Sequence, residues 1–144
     1  MGFLIDTNVL SELRKGARCD ANVRAWLNSV AEDELHLSVI TIAEVRHGIE
    51  KVRHKGDAAQ ARHLEEWLAG VYSRFADRIV PVDREVAEVW GYLMAPDPLP
   101  ASDAFLAATA LVYGLTFVTR NTRDVERARI PLLNPFADHL SLSR

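Results

Sequence analysis

The chain has 144 residues, 49% of them hydrophobic and 26% charged, with a formal net charge of −3. That length and apolar content suit one globular domain with a substantial core and exclude a disordered chain. The acidic balance excludes a generally cationic nucleic-acid-coating surface, so a polynucleotide partner must be met by a local basic patch. The single cysteine, Cys19, excludes an internal disulfide framework and suits a reducing compartment.

Phe3-Leu4-Ile5 ends in Asp6-Thr7-Asn8 and predicts a buried strand handing over to a helix. Asp6 follows the apolar run too soon, with no basic segment ahead of it, for a secretory leader. Val9, Leu10 and Leu13 carry the first helix until Gly16, and Val23, Trp26, Leu27 and Val30 mark a second from about Asp20. Leu35 to Val39 alternates as a strand does. Ile42, Val45, Ile49 and Val52 then form a helical stripe, broken and recapped at Gly56-Asp57. Leu64, Trp67, Leu68, Val71, Tyr72 and Phe75 follow as the apolar face of the next helix, so the two predict a helical hairpin.

Ile79-Val80-Pro81-Val82 reads as a strand that Pro81 pushes to an edge or an end. Asp83 caps a helix with Val86, Val89, Trp90 and Leu93. After Pro96, Pro98 and Pro100, Ser102 or Asp103 opens a nearly all-apolar helix from Ala104 to Tyr113, ended by Gly114. Leu115 to Thr119 is a strand, Thr122 to Ala128 a short helix, and Ile130 to Leu133 a last apolar run before a short tail over about 137–144. The uncharged stretch from Ala104 to Thr119 is short for a membrane span, and a buried helix followed by a buried strand accounts for it. Strands alternating with helices predict an α/β fold, a central, mostly parallel sheet with helices on both faces. In such folds ligands bind beyond the carboxyl ends of the strands.

Four acids stand at such places: Asp6 after the first strand, Glu44 in the helix after the second, Asp103 at the buried helix, and Asp124 after the fourth strand. Taken singly, Asp6, Asp103 and Asp124 read as helix caps and Glu44 as a solvated helix residue. Gly48, one turn beyond Glu44, costs about 1 kcal/mol relative to Ala in a helix interior, which points to close approach of another backbone or a ligand, or to tight helix packing. Should the four acids converge, two unit charges about 5 Å apart repel by roughly 3 kcal/mol at an effective dielectric of about 20. Such a cluster needs a cation or must bind protons. Oxygen-only ligands suit Mg²⁺ or Mn²⁺, ions that clamp phosphate oxygens and activate water for phosphodiester hydrolysis. His36, His47, His54, His63 and His139 show no zinc spacing, and neither a P-loop nor a GxSxG elbow is present.

The segment Phe3-Leu4-Ile5-Asp6-Thr7-Asn8-Val9-Leu10-Ser11-Glu12-Leu13 resembles the opening of PIN-domain proteins. Ile42-Ala43-Glu44-Val45 before Arg46-His47-Gly48 resembles their second acidic motif. Ser102-Asp103-Ala104 with Ala107-Ala108-Thr109-Ala110, and Val118-Thr119-Arg120-Asn121 with Asp124, resemble the third and fourth. Leu132-Leu133-Asn134-Pro135-Phe136 resembles the ending of the VapC-type toxins of bacterial toxin–antitoxin pairs. The match runs along essentially the whole chain, as one PIN-like domain over 1–144.

This resemblance implies a Mg²⁺- or Mn²⁺-dependent endoribonuclease in the cytoplasm, silenced by a cognate antitoxin. It further implies a homodimer, assembled higher with the antitoxin and meeting DNA only through it. Asp6, Glu44, Asp103 and Asp124 match the family's acidic quartet, Asp6 and Asp103 as direct metal ligands. Thr7, Thr119 and Asn121 match positions that support the carboxylates or touch the scissile phosphate, and Arg120 is grouped with them. Val125 departs from the pattern, standing where a Phe commonly follows the fourth acid.

Two basic clusters offer RNA contacts: Arg46, Lys51, Arg53 and Lys55, equally readable as a solvated helix face, and Arg120, Arg123, Arg127 and Arg129 at the mouth of the site. A phosphorylated receiver domain wants an acidic pair after the first strand and a late lysine. Here Thr7-Asn8 follows Asp6, and the last lysine is Lys55. A PIN fold that binds RNA or a partner without cutting stays open.

Overall fold

Five short strands form the centre of the molecule in a computed structural model that describes residues 2–137. They are β1 (Phe3–Ile5), β2 (Leu35–Ser38), β3 (Ile79–Val80), β4 (Thr116–Val118) and β5 (Leu132–Leu133), ordered β3-β2-β1-β4-β5 with every pair parallel. Between them run α1 (Thr7–Arg14), α2 (Ala21–Ser29), α3 (Val39–His54), α4 (Ala58–Phe75), α5 (Arg84–Met94), α6 (Ala101–Tyr113) and α7 (Thr122–Val125). The tail expected over 137–144 lies, from residue 138 on, outside the described residues, as does His139.

Parallel strands joined by helical crossovers bury both faces of the sheet, and the period of two divides their side chains between two cores. Ile5 of β1 and Val118 of β4 join Val9, Leu10, Trp26, Leu68 and Phe75 on the side of α1 to α4. Leu4 and Phe117, their strand neighbours, join Leu106, Ala107 and Ala110 of α6 on the other side. This is the expected α/β architecture with helices on both faces.

Local chemistry moves several boundaries. Buried Ser38 accepts a hydrogen bond from the Ile40 amide at 3.0 Å, ending β2 and starting α3 at Val39. β3 stops at Val80, before Pro81, and is an edge strand. The run at 130–133 contributes a fifth strand, with Leu132 paired to Phe117. α6 begins at Ala101 with Pro100 at its cap position, so neither Ser102 nor Asp103 caps it. On α4, Leu68, Val71 and Phe75 reach the core, while Tyr72 is 44% exposed.

β1 sits between β2 and β4, so the chain leaves it toward one side of the sheet and later returns on the other. That makes a switch point, at which the loops after β1 and β4 part and open a crevice. The Asp6 amide, hydrogen-bonded to the Val118 carbonyl at 2.9 Å, ties the two strand ends together there.

Candidate active site

Asp6 ends β1 and caps α1. Its Oδ1 accepts from the Thr7 amide at 2.7 Å, and its Oδ2 accepts from the Thr119 hydroxyl at 2.8 Å and from the Asn8 side chain at 3.4 Å. Only 6% of the residue is exposed. Burial raises its carboxyl above the ordinary aspartate range, against the lowering effect of the Thr119 and Thr7 hydrogen bonds. Thr119, at the end of β4, is itself held by the Asn121 amide, which donates to its hydroxyl at 3.1 Å.

Thr7 carries the arrangement across to α3, its hydroxyl donating to Glu44 Oε1 at 3.0 Å. The Glu44 carboxyl is raised by desolvation first, with the charge of Asp6 adding to it. Asp103 occupies the first turn of α6. Its carboxyl is pushed up to about 6, by burial and then by the charges of Asp6, Asp124 and Glu44. Asp124 is exposed in the first turn of α7, where Val125, 1% exposed, packs among Leu106, Leu115, Phe117 and Ile130. The valine thus anchors the short helix in the core from the position after the fourth acid.

The four acids therefore act on one another from four separate elements. Asp103 and Asp124 are not the cap residues of their helices, whereas Asp6 caps α1 and faces the cluster as well. Among the described residues none of the four forms an ion pair, and no three His, Cys, Asp or Glu groups stand as a ready-made cage around a metal. The donor set is oxygen-only and anionic, and repulsion inside it has no built-in relief. Those two properties fit a hard divalent cation that keeps part of its water shell.

Asn8 belongs to this site, though only its place in the opening motif hinted at it. It donates to Asp6 and accepts from the Arg120 amide at 3.3 Å. The Arg120 guanidinium lies 4.6 Å from the Phe136 ring centroid, and its charge reaches Glu12. Asn121 contributes its backbone, holding Thr119 and accepting from the Asp124 amide at 3.1 Å.

The first basic cluster is a solvated face. Arg46 pairs with Glu65 at 2.9 Å and Glu50 at 3.3 Å, and Arg53 pairs with the same two glutamates. In the second cluster Arg127 meets Asp97 at 3.6 Å, and among the described residues Arg123 and Arg129 have no ion-pair partner. Gly48 is exposed, and a Cβ built on it meets nothing within 4 Å, so tight helix packing does not explain it.

The profile of the PIN domain matches residues 3–130. The chain belongs to the PIN domain family. Within it, the VapC ribonuclease Y4jK of Sinorhizobium fredii is 34% identical, over 93% of this chain and 97% of that one. The crystal structure of FitAcB from Neisseria gonorrhoeae superimposes with a TM-score of 0.84 at 32% identity, covering 94% of this chain and 99% of that chain. A toxin–antitoxin complex from Klebsiella pneumoniae matches at 29% identity and a TM-score of 0.71, covering 95% of this chain and all, 100%, of the chain compared. Among the described residues of this PIN domain no helix is long and apolar enough to cross a membrane.

Proposed function

We propose that this PIN domain is a metal-dependent endoribonuclease of the cytoplasm, the toxin of a type II toxin–antitoxin pair, held silent by its antitoxin. The observation that carries the reading is the gathering of acids at the switch point of the sheet. Thr7 joins Asp6 to Glu44 by hydrogen bonds, and the Asp6 amide ties β1 to the end of β4. Asp103 and Asp124 stand in the first turns of α6 and α7, close enough that the other three acids add to the raising of the Asp103 carboxyl. A relative named a VapC ribonuclease and a structural neighbour solved as a toxin–antitoxin complex support the substrate and the partner. A homodimer, with DNA met only through the antitoxin, belongs to the same reading.

Asp6 and Asp103 would hold Mg²⁺ or Mn²⁺ directly, with Glu44 and Asp124 completing the site. Such an ion supplies positive charge to phosphate oxygens and lowers the pKa of an attacking water. Thr119 keeps Asp6 oriented in its buried position and favours the ionised form. Thr7 aligns Glu44, and the Asn121 backbone fixes Thr119. Arg120, Arg123 and Arg129 supply positive charge at the mouth, where a backbone phosphate gains affinity without sequence readout.

The test is incubation of total RNA with the purified protein in Mn²⁺ and in excess chelator, beside Asp103→Asn. Discrete fragments that need both metal and Asp103 are expected. Cleavage that persists in chelator sinks the proposal. Tight RNA binding without cleavage in Mn²⁺ turns it into a non-catalytic binding module.

A further inference from the structure

A cleft of about 380 Å³ opens between α3 and α6 beside the carboxylates. Ile40, Ala43 and His47 line it from α3, and Ala101, Ser102 and Phe105 from α6. The first three recur at helical spacing and so share one face. Glu44, which accepts from Thr7, also lines this cleft, and Ser102 directly precedes Asp103. The cleft thus adjoins the carboxylate site through Glu44.

We propose that this cleft is a nucleobase subsite, seating the base beside the cut phosphate against Phe105 with His47 and Ser102 at its edge. The inference rests on the nuclease reading. No lysine or arginine lines the cleft, and Glu44 brings a negative charge to it, so a phosphodiester is repelled there. What enters from an RNA strand is its neutral, flat part. Four apolar walls suit the faces of a heterocycle, while an imidazole, a hydroxyl and a carboxylate offer hydrogen bonds to its rim. Phe105 is pre-set for this: its ring stacks on Trp90 of α5 with centroids 5.1 Å apart and planes 17° apart. A base laid on Phe105 extends that stack, and single-stranded RNA is held in this way by aromatic side chains.

The test pairs RNA binding with the position of the cut. Binding of a fluorescein-labelled ten-nucleotide RNA of mixed sequence is measured by anisotropy in chelator, for the wild type, Phe105→Leu, Phe105→Tyr and His47→Ala. Loss of one base stack predicts binding about tenfold weaker in Phe105→Leu, recovered by Phe105→Tyr. A base-free ribose-phosphate ten-mer is expected to bind the wild type and Phe105→Leu alike. Fragments of total RNA cut in Mn²⁺ should lose base preference at their ends in Phe105→Leu and in the exposed-site variant His47→Ala.

Equal binding and unchanged fragment ends overturn the subsite, and if the wild type still cuts, the nuclease reading stands without it. A Phe105-dependent difference in binding with no cutting by the wild type keeps the subsite and removes the nuclease. A dimer lost in Phe105→Leu with RNA binding intact assigns the cleft to a second copy of this chain and overturns the proposal.

Discussion

Thr119 shows how much one hydroxyl does at this site. It is 1% exposed, donates to Asp6 and receives from the Asn121 amide. Thr119→Val keeps the shape, removes the hydroxyl and leaves a buried carboxylate short of a partner. A hydrogen bond to a charged group contributes about 1.5–3 kcal/mol, so a fall in stability of that order is expected in urea unfolding, with cleavage lost in parallel. Unchanged stability would mean that Asp6 finds another donor. Asn8 is the nearest candidate, at 3.4 Å.

At the scale of elements, α3 carries both a brace and a weakness. Arg46 and Arg53 tie α3 to Glu65 of α4 and to their own Glu50. These pairs are partly exposed, and each contributes on the order of 1 kcal/mol or less. Gly48, in the same helix, leaves a position where a methyl group meets open space. Gly48→Ala is therefore expected to stabilise by about 1 kcal/mol, raising Tm by roughly 2–4 °C for a domain of this size. Calorimetry checks it, and a lower Tm would show that the bare backbone has a structural use.

Across the whole molecule, the acidic cluster sets stability against activity. A carboxyl raised on folding binds its proton more tightly in the native state, so its contribution falls as pH rises from about 4 to the Asp103 value of about 6, and stays lost above it. Glu12, Glu32, Glu50 and Asp83, all lowered, act in the opposite direction, and only the difference between wild type and Asp103→Asn isolates the site. In chelator at pH 7 the variant is expected to be the more stable, by of the order of 1–2 kcal/mol once partial exposure is discounted. That advantage should shrink toward pH 4.5. Mn²⁺ should raise the wild-type Tm at pH 7 and leave the variant nearly unchanged. Thermal scans at the two pH values read both effects, and a wild type indifferent to Mn²⁺ would remove the metal from the proposal.

Local pattern alone was enough for most of the elements, because a period of two or of 3.6 in the apolar residues is imposed by which face must leave water. Phe3 to Ile5, the stripe through Leu68 and Phe75, and the glycine stop at Gly114, with φ +65°, follow from that and from backbone sterics. The family could also be read there, since its motifs are local strings around Asp6, Glu44, Asp103 and Asp124. Pattern did not place the start of α6, where the alternating prolines delay the helix only to Ala101, nor mark β5, two residues that become a strand only by pairing with Phe117 and Val118. It left Gly48 and the Arg46 cluster ambiguous, because glutamates on a second helix and empty space around a backbone have no signature along one helix. The convergence of the four acids belongs to tertiary structure alone. They lie on α1's cap, α3, α6 and α7, and only the parallel order that puts β1 between β2 and β4 gathers those strand ends at one crevice. Mutual repulsion there is a property of distance in space, which no spacing along the chain encodes.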